Sequence, residues 1–134
     1  TPEIISQFEK DPRCLYMTDA WVEDHGVQNP AIYDCFPKFL RDAALGTGDT
    51  MEGAVRRMTG ATADRFRLQE RGYLKEGYAA DINIFDPAAV RDMATFTKSK
   101  QLAEGIAYTL IGGEVAAAAS RKTSGAYGRL LKRK

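Results

Sequence analysis

The sequence predicts a mixed α/β chain: a helix and a strand, a long loop, further helices, and then a few strands. Three observations carry this. Through much of residues 1–68 apolar side chains recur at three- and four-residue steps. After Leu68 the composition turns to short apolar runs punctuated by glycine, and Gly112-Gly113 stands between two such runs.

In order, "EIISQFEK" places Ile4, Ile5 and Phe8 at helical spacing, and Asp11-Pro12 ends the pattern ahead of the strand-like "CLYM" at 14–17. "TDAWVEDHGVQNPAIYD" has no sustained period and contains Gly, Asn and Pro, so residues 18–34 are expected to form a long loop, a feature often tied to function. From Phe36 a helix is predicted through Phe39, Leu40 and Ala43, with Pro37 in its first turn and Gly46-Thr47-Gly48 as its end. Thr50 is the expected N-cap of the next helix, with Glu52 at its positive end, Met51, Ala54, Val55 and Met58 on one face, and Gly60 as its stop. A short third helix is expected over "TADRFRL", capped by Thr62. Beyond it, Gly72 and Gly77 read as turns, "DINIF" as a strand closed by Asp86-Pro87, and "IAYTLI" and "EVAAAA" as the arms of a two-residue hairpin. There is no internal repeat and no low-complexity segment. Three or so strands cannot close a barrel or cover themselves, so more strands are expected from a partner or from a further part of the same polypeptide.

Bulk properties exclude several functions. The 134 residues carry 19 Lys and Arg against 18 Asp and Glu, a net charge of +1, with no basic patch beyond the tail Arg129, Lys132, Arg133 and Lys134. A solvated terminus explains that tail better than nucleic acid or an anionic membrane. No apolar run reaches the length of a membrane span, nothing marks the chain for export, and a cytoplasmic location is expected. Cys14 and Cys35 lack CxxC spacing and are expected to be two buried thiols. The chain opens on Thr1 within a helical pattern and is expected to be a fragment or a processed piece. The glycines form neither GxGxxG nor GxxxxGK, which removes the usual nucleotide cradles.

A more specific signal lies in "FPKFLRD", "MEGAVRRMTGATADRFRLQERGYLKEGYAADINIFDP", "AEGIAYTLIGGEV" and "SGAYGRLLK". Together these resemble the C-terminal portion of the N-acyl-D-amino-acid deacylases (D-aminoacylases) of the amidohydrolase superfamily, over nearly the whole chain. "GYLKEGYAADINIFD" alone is shared by many amidohydrolases and hydantoinase-like enzymes. The resemblance implies a metal-dependent hydrolase on a TIM-type (β/α)8 barrel with a small β-sandwich, in which residues 1–70 are the last barrel strand and the helices after it. Residues 71–134 are then the C-terminal share of the sandwich. It further implies zinc in the full-length enzyme, an N-acyl-amino acid as small-molecule substrate, and the missing N-terminal part of the protein, or another protomer, as partner.

On the same resemblance Asp19 matches the family's aspartate at the end of the last barrel strand, which takes a proton from metal-activated water and returns it to the departing amine. Where the family tends to read Gly-Ser-Asp-Gly, this chain reads Met17-Thr18-Asp19-Ala20. From the residues alone, a turn cap is the better reading of Asp19, and the resemblance is what favours catalysis. His25 is the only histidine, fewer than a zinc hydrolase site takes, and reads as a solvated loop residue, so no metal ligand is assigned here. Glu23, Asp24 and Asp34 do not have the spacing of a calcium loop. Trp21 and Tyr33 either line a pocket or pack the loop on the helices, while Asp81 and Asp86 bracket a strand and read as structural. Two other readings stay open: a cyclic-amide hydrolase of dihydroorotase or hydantoinase type, and a non-catalytic assembly module that pairs its strands with a partner.

Overall fold

A computed structural model describes residues 1–19, 21–119 and 121–131. Helices α1 (Pro2–Lys10), α2 (Ala31–Ala44), α3 (Met51–Met58) and α4 (Gly60–Phe66) precede strands β1 (Ile82–Phe85), β2 (Ile106–Ile111), β3 (Glu114–Ala118) and β4 (Arg121–Lys122). The strands form one antiparallel sheet in the order β1-β2-β3-β4.

Thr50 caps α3 as its position predicts, its hydroxyl accepting from the Gly53 N–H at 3.0 Å. Gly60, expected to end that helix, instead opens α4. Thr59 makes the break with φ −129° and ψ −92°. The small residue at 60 has a packing reason, since a Cβ there would stand 2.6 Å from the Tyr73 ring. Thr62 is therefore not a cap; its hydroxyl donates back to the Arg57 carbonyl at 2.7 Å.

Helix α2 begins five residues before Phe36. Asn29 accepts from the Ala31 N–H at 3.0 Å, and Pro30, with φ −62° and ψ −22°, stands at the N-cap already in helical geometry. Pro37 consequently lies inside the helix rather than in its first turn. The strand expected at 14–17 forms no ladder with any of the described strands.

The hairpin follows its sequence. Gly112 and Gly113 have φ of +60° and +88°, and β2 pairs with β3 from Ile111↔Glu114 inward. The strand at 121–122 was not predicted, since two charged residues carry no period. Before β2 the chain doubles back: Asp86 N–H donates to Gly105 O at 3.0 Å, Arg91 and Glu104 form a bridge, and Val90 is fully enclosed. Gly105 is required there, because its φ is +79° and a Cβ would lie 2.5 Å from the Ala89 carbonyl carbon and the Val90 nitrogen.

Only Tyr16, Leu40, Ala54, Ala63, Val90 and Ala103 form the described apolar core. The accessible surface is 9802 Å², whereas a monomeric protein of 14.8 kDa exposes about 7,000 Å². Ile5, Phe8, Trp21, Val22 and Leu74 are among the large apolar residues left open to solvent. The two halves meet where Asp34 of α2 accepts from the Met93 and Ala94 N–H groups and Arg41 pairs with Asp92. Among the described residues no helix is long and apolar enough to cross a membrane.

Candidate functional site

The site begins at the end of α1. Asp11 turns the chain, and the buried Arg57 guanidinium holds the turn by donating to Asp11 O at 2.5 Å and Phe8 O at 3.4 Å. Arg57 also stands 2.9 Å from the Asp49 carboxylate as an ion pair and 5.7 Å above the Tyr16 ring. Tyr16 stacks on Phe39 of α2, with centroids 3.9 Å apart, and its hydroxyl donates to Glu9 O at 3.0 Å. Burial raises the Tyr16 phenol, which remains a donor at neutral pH. The last carbonyls of α1 and its cap are thus met by side chains from Tyr16 and α3.

Asp19 closes this segment. Its carboxylate is exposed, and among the described residues it makes no hydrogen bond or ion pair; φ is +44°, in the left-handed region. The side-chain turn cap that its type also allowed is not formed among those residues. Ala20, the fourth residue of the motif, and the tail residues Lys132, Arg133 and Lys134 lie outside the described residues.

The loop after Asp19 is organised by Gln28, a residue that the sequence did not single out. At 2 % exposure, its Oε1 accepts from the Glu23 N–H at 2.8 Å and its Nε2 donates to Trp21 O at 2.8 Å. Trp21 itself is 66 % exposed, so it does not pack the loop on the helices, while Tyr33 is half-buried. His25 and Asp24 are exposed. Asp34 is buried, with one carboxylate oxygen lacking a partner among the described residues. Burial pushes its pKa up, the Ala94 and Met93 N–H groups oppose that, and Asp92 adds to it.

Cys14 and Cys35 are free and half-buried. The Cys35 Sγ donates to Met17 O at 3.2 Å, and burial raises its pKa. Asp81 is structural: it accepts from the Gly112 N–H at 2.8 Å and pairs with Arg71. Asp86 accepts from the Ala88 N–H at 2.9 Å, a local turn contact. A groove of about 440 Å³ is lined by Arg65, Phe66, Arg67, Leu68 and Leu131, none of which belongs to the Asp19 segment.

No three His, Cys, Asp or Glu side chains converge as a metal-holding group among the described residues. The donors among the described residues therefore do not by themselves make up a zinc site. What the chain presents is an exposed carboxylate on a braced backbone, able to accept and return a proton.

The family model described as "Amidohydrolase family" matches residues 28–117, a span that starts after Asp19. A D-aminoacylase from Alcaligenes xylosoxydans xylosoxydans is 43 % identical over 86 residues, covering 63 % of this chain and 18 % of that protein. A solved structure of D-aminoacylase, concerned with the functional role of its binuclear metal center, superposes with a TM-score of 0.74 at 38 % identity, over 79 % of this chain and 23 % of its own. The N-acyl-D-glutamate deacylase from Bordetella bronchiseptica, complexed with zinc and a phosphonate mimic of the tetrahedral intermediate, gives 0.78 at 28 % identity over 90 % of this chain and 26 % of its own. The chain thus spans about a fifth of the curated relative and about a quarter of each solved structure.

Proposed function

Since the chain belongs to the amidohydrolase family, we propose that it is the C-terminal portion of a metal-dependent hydrolase that cleaves the amide bond of N-acyl-D-amino acids. The observation that carries the reading is the match of most of this chain, in sequence and in three dimensions, to deacylases of that substrate class. Residues 1–70 are assigned to the last strand of a (β/α)8 barrel with the helices after it, and residues 71–134 to the C-terminal share of a β-sandwich. A 14–17 run of strand-like composition without a strand neighbour, together with surface well above that of a monomer this size, supports the assignment. The remainder of the polypeptide is the partner that covers these faces, and zinc belongs to that remainder, because the donors here do not suffice.

Asp19 is the proton carrier. Its carboxylate takes a proton from the water that attacks the amide carbonyl, and delivers it to the nitrogen as the C–N bond breaks, releasing the free amino acid and a carboxylic acid. Support comes from its exposed carboxylate, without a partner among the described residues, just after the strand-like run 14–17; barrel enzymes put catalytic groups at strand ends.

The test uses the full gene product. It should hydrolyse N-acetyl-D-amino acids and leave dihydroorotate and hydantoin intact. Asp19→Ala should lower kcat by roughly a thousandfold, within the range that a general acid–base contributes, with the bound metal unchanged. Turnover near the parent's level in that variant rejects the role of Asp19.

A further inference from the structure

The carbonyls two residues before and two residues after Asp19 are both held by side chains from the same part of the molecule. Met17 O accepts from Cys35, in the second turn of α2, and Trp21 O accepts from Gln28, three residues before that helix starts. The Gln28 amide is engaged at both ends, since its Oε1 accepts from Glu23 and its Nε2 also reaches Asn29 O at 3.4 Å. Between these two anchors Asp19 adopts φ +44°. Aspartate is one of the few residues with a Cβ that visits this region. The carboxylate has no partner of its own among the described residues, so the backbone that carries it fixes where its Cα–Cβ bond starts and points.

We propose that Gln28 and Cys35 are positioning residues, which clamp the chain on either side of Asp19 and thereby aim its carboxylate. The inference rests on the reading of Asp19 as the proton carrier. The side-chain types suit the task. A primary amide bridges an acceptor and a donor at once and does not titrate. The thiol, with its pKa pushed up by burial, keeps its S–H at neutral pH.

The experiment compares Gln28→Ala, Gln28→Glu, Cys35→Ala and Cys35→Ser in the full gene product, with Asp19→Ala alongside. Gln28→Ala should lower kcat roughly 10- to 100-fold, as small misplacements of a reacting group do, while KM and metal content stay at the parent's values. Hydrogen exchange at the Glu23 amide should accelerate at least about tenfold, because its acceptor is gone. Gln28→Glu should behave like the alanine variant at neutral pH, where the introduced carboxylate cannot donate to Trp21 O. Its kcat relative to the parent should recover as the pH falls and that group gains a proton. Cys35→Ser keeps a donor and should exceed Cys35→Ala in kcat.

Parental kcat in Gln28→Ala, beside an inactive Asp19→Ala, overturns the clamp and leaves the role of Asp19 standing. An active Asp19→Ala overturns that role, and the clamp's catalytic meaning with it. Unchanged exchange at Glu23 in Gln28→Ala overturns the clamp whatever the activity.

Discussion

The sheet at residues 82–122 and the Asp19 segment at residues 11–29 are held in opposite ways. In the sheet, backbone groups satisfy one another: Ile82 pairs with Leu110, Tyr108 with Ala118, and Gly112-Gly113 turns the chain between neighbours. In the Asp19 segment side chains meet main-chain carbonyls, Cys35 on Met17 and Gln28 on Trp21, and where α1 runs into it Tyr16 reaches Glu9 and Arg57 reaches Phe8 and Asp11. Every buried carbonyl needs a donor, and a segment without a strand neighbour has to find one elsewhere. Its path is therefore specified by residues far along the chain. A ladder tolerates surface substitutions along its length, whereas an anchored segment depends on a few polar side chains.

The sharpest way to break this contrast is to remove Arg57. In Arg57→Ala the carbonyls of Phe8 and Asp11 keep only their backbone donors, the Asp11 and Cys14 N–H groups, and the largely buried Asp49 loses its cation. Breaking such a pair costs about 3 kcal/mol. Amide exchange should accelerate at residues 11–19 while the ladder amides of β2 and β3 keep their protection. Equal acceleration in both places would show that one cooperative unit, and not two kinds of anchoring, holds the extended chain.

Gly105→Ala makes the reciprocal cut. Alanine at φ +79°, with its Cβ pressed on Ala89 and Val90, should cost about 2 kcal/mol. The loss falls on the sheet, where Asp86 N–H bonds to Gly105 O as the chain enters β2. Tyr16 fluorescence or exchange around Asp19 should stay at the parent's values. Loss of structure at Tyr16 in this variant would remove the distinction from the other side.

The contrast also explains what the sequence could reveal. The Thr50 cap, the glycine hairpin and "DINIF" were legible because each is decided by residues within a few positions of one another. Helix α2 starts ahead of its expected first turn at Phe36, since residues 18–34 show no sustained period and contain Gly, Asn and Pro, while the contact that buries Asp34 against the 93–94 amides lies far along the chain. Arg57 left one trace: it lies three residues after the fully buried Ala54, on the same face of α3, where an arginine is out of place unless paired. Gln28 left none, since its partners Trp21 and Glu23 are met only once the loop has closed. The aspartate at 19 was marked by resemblance alone; neither its spacing nor its φ could be read from its neighbours.

The seam between the two regions gives the smallest expected effect and the one that depends on pH. Asp34 joins α2 to the 93–94 backbone, and its folded pKa is raised above the ordinary carboxylate value, chiefly by burial. Between the ordinary value of about 3.9 and the raised one, the folded chain binds more protons than the unfolded chain. Stability from this group is therefore fully present below the ordinary carboxylate range and declines as the pH rises through the folded pKa. Asp34→Asn keeps an acceptor for the Met93 and Ala94 N–H groups without a charge to bury. Relative to the parent, that variant should gain stability as the pH rises from about 4 toward 7, by less than about 1 kcal/mol, since the same two N–H groups already stabilise the charged form. A denaturant midpoint difference that stays flat over this range would mean that the carboxylate is ionised at no cost. In that case its second oxygen, unpartnered among the described residues, is solvated and the seam between helices and sheet is open to water.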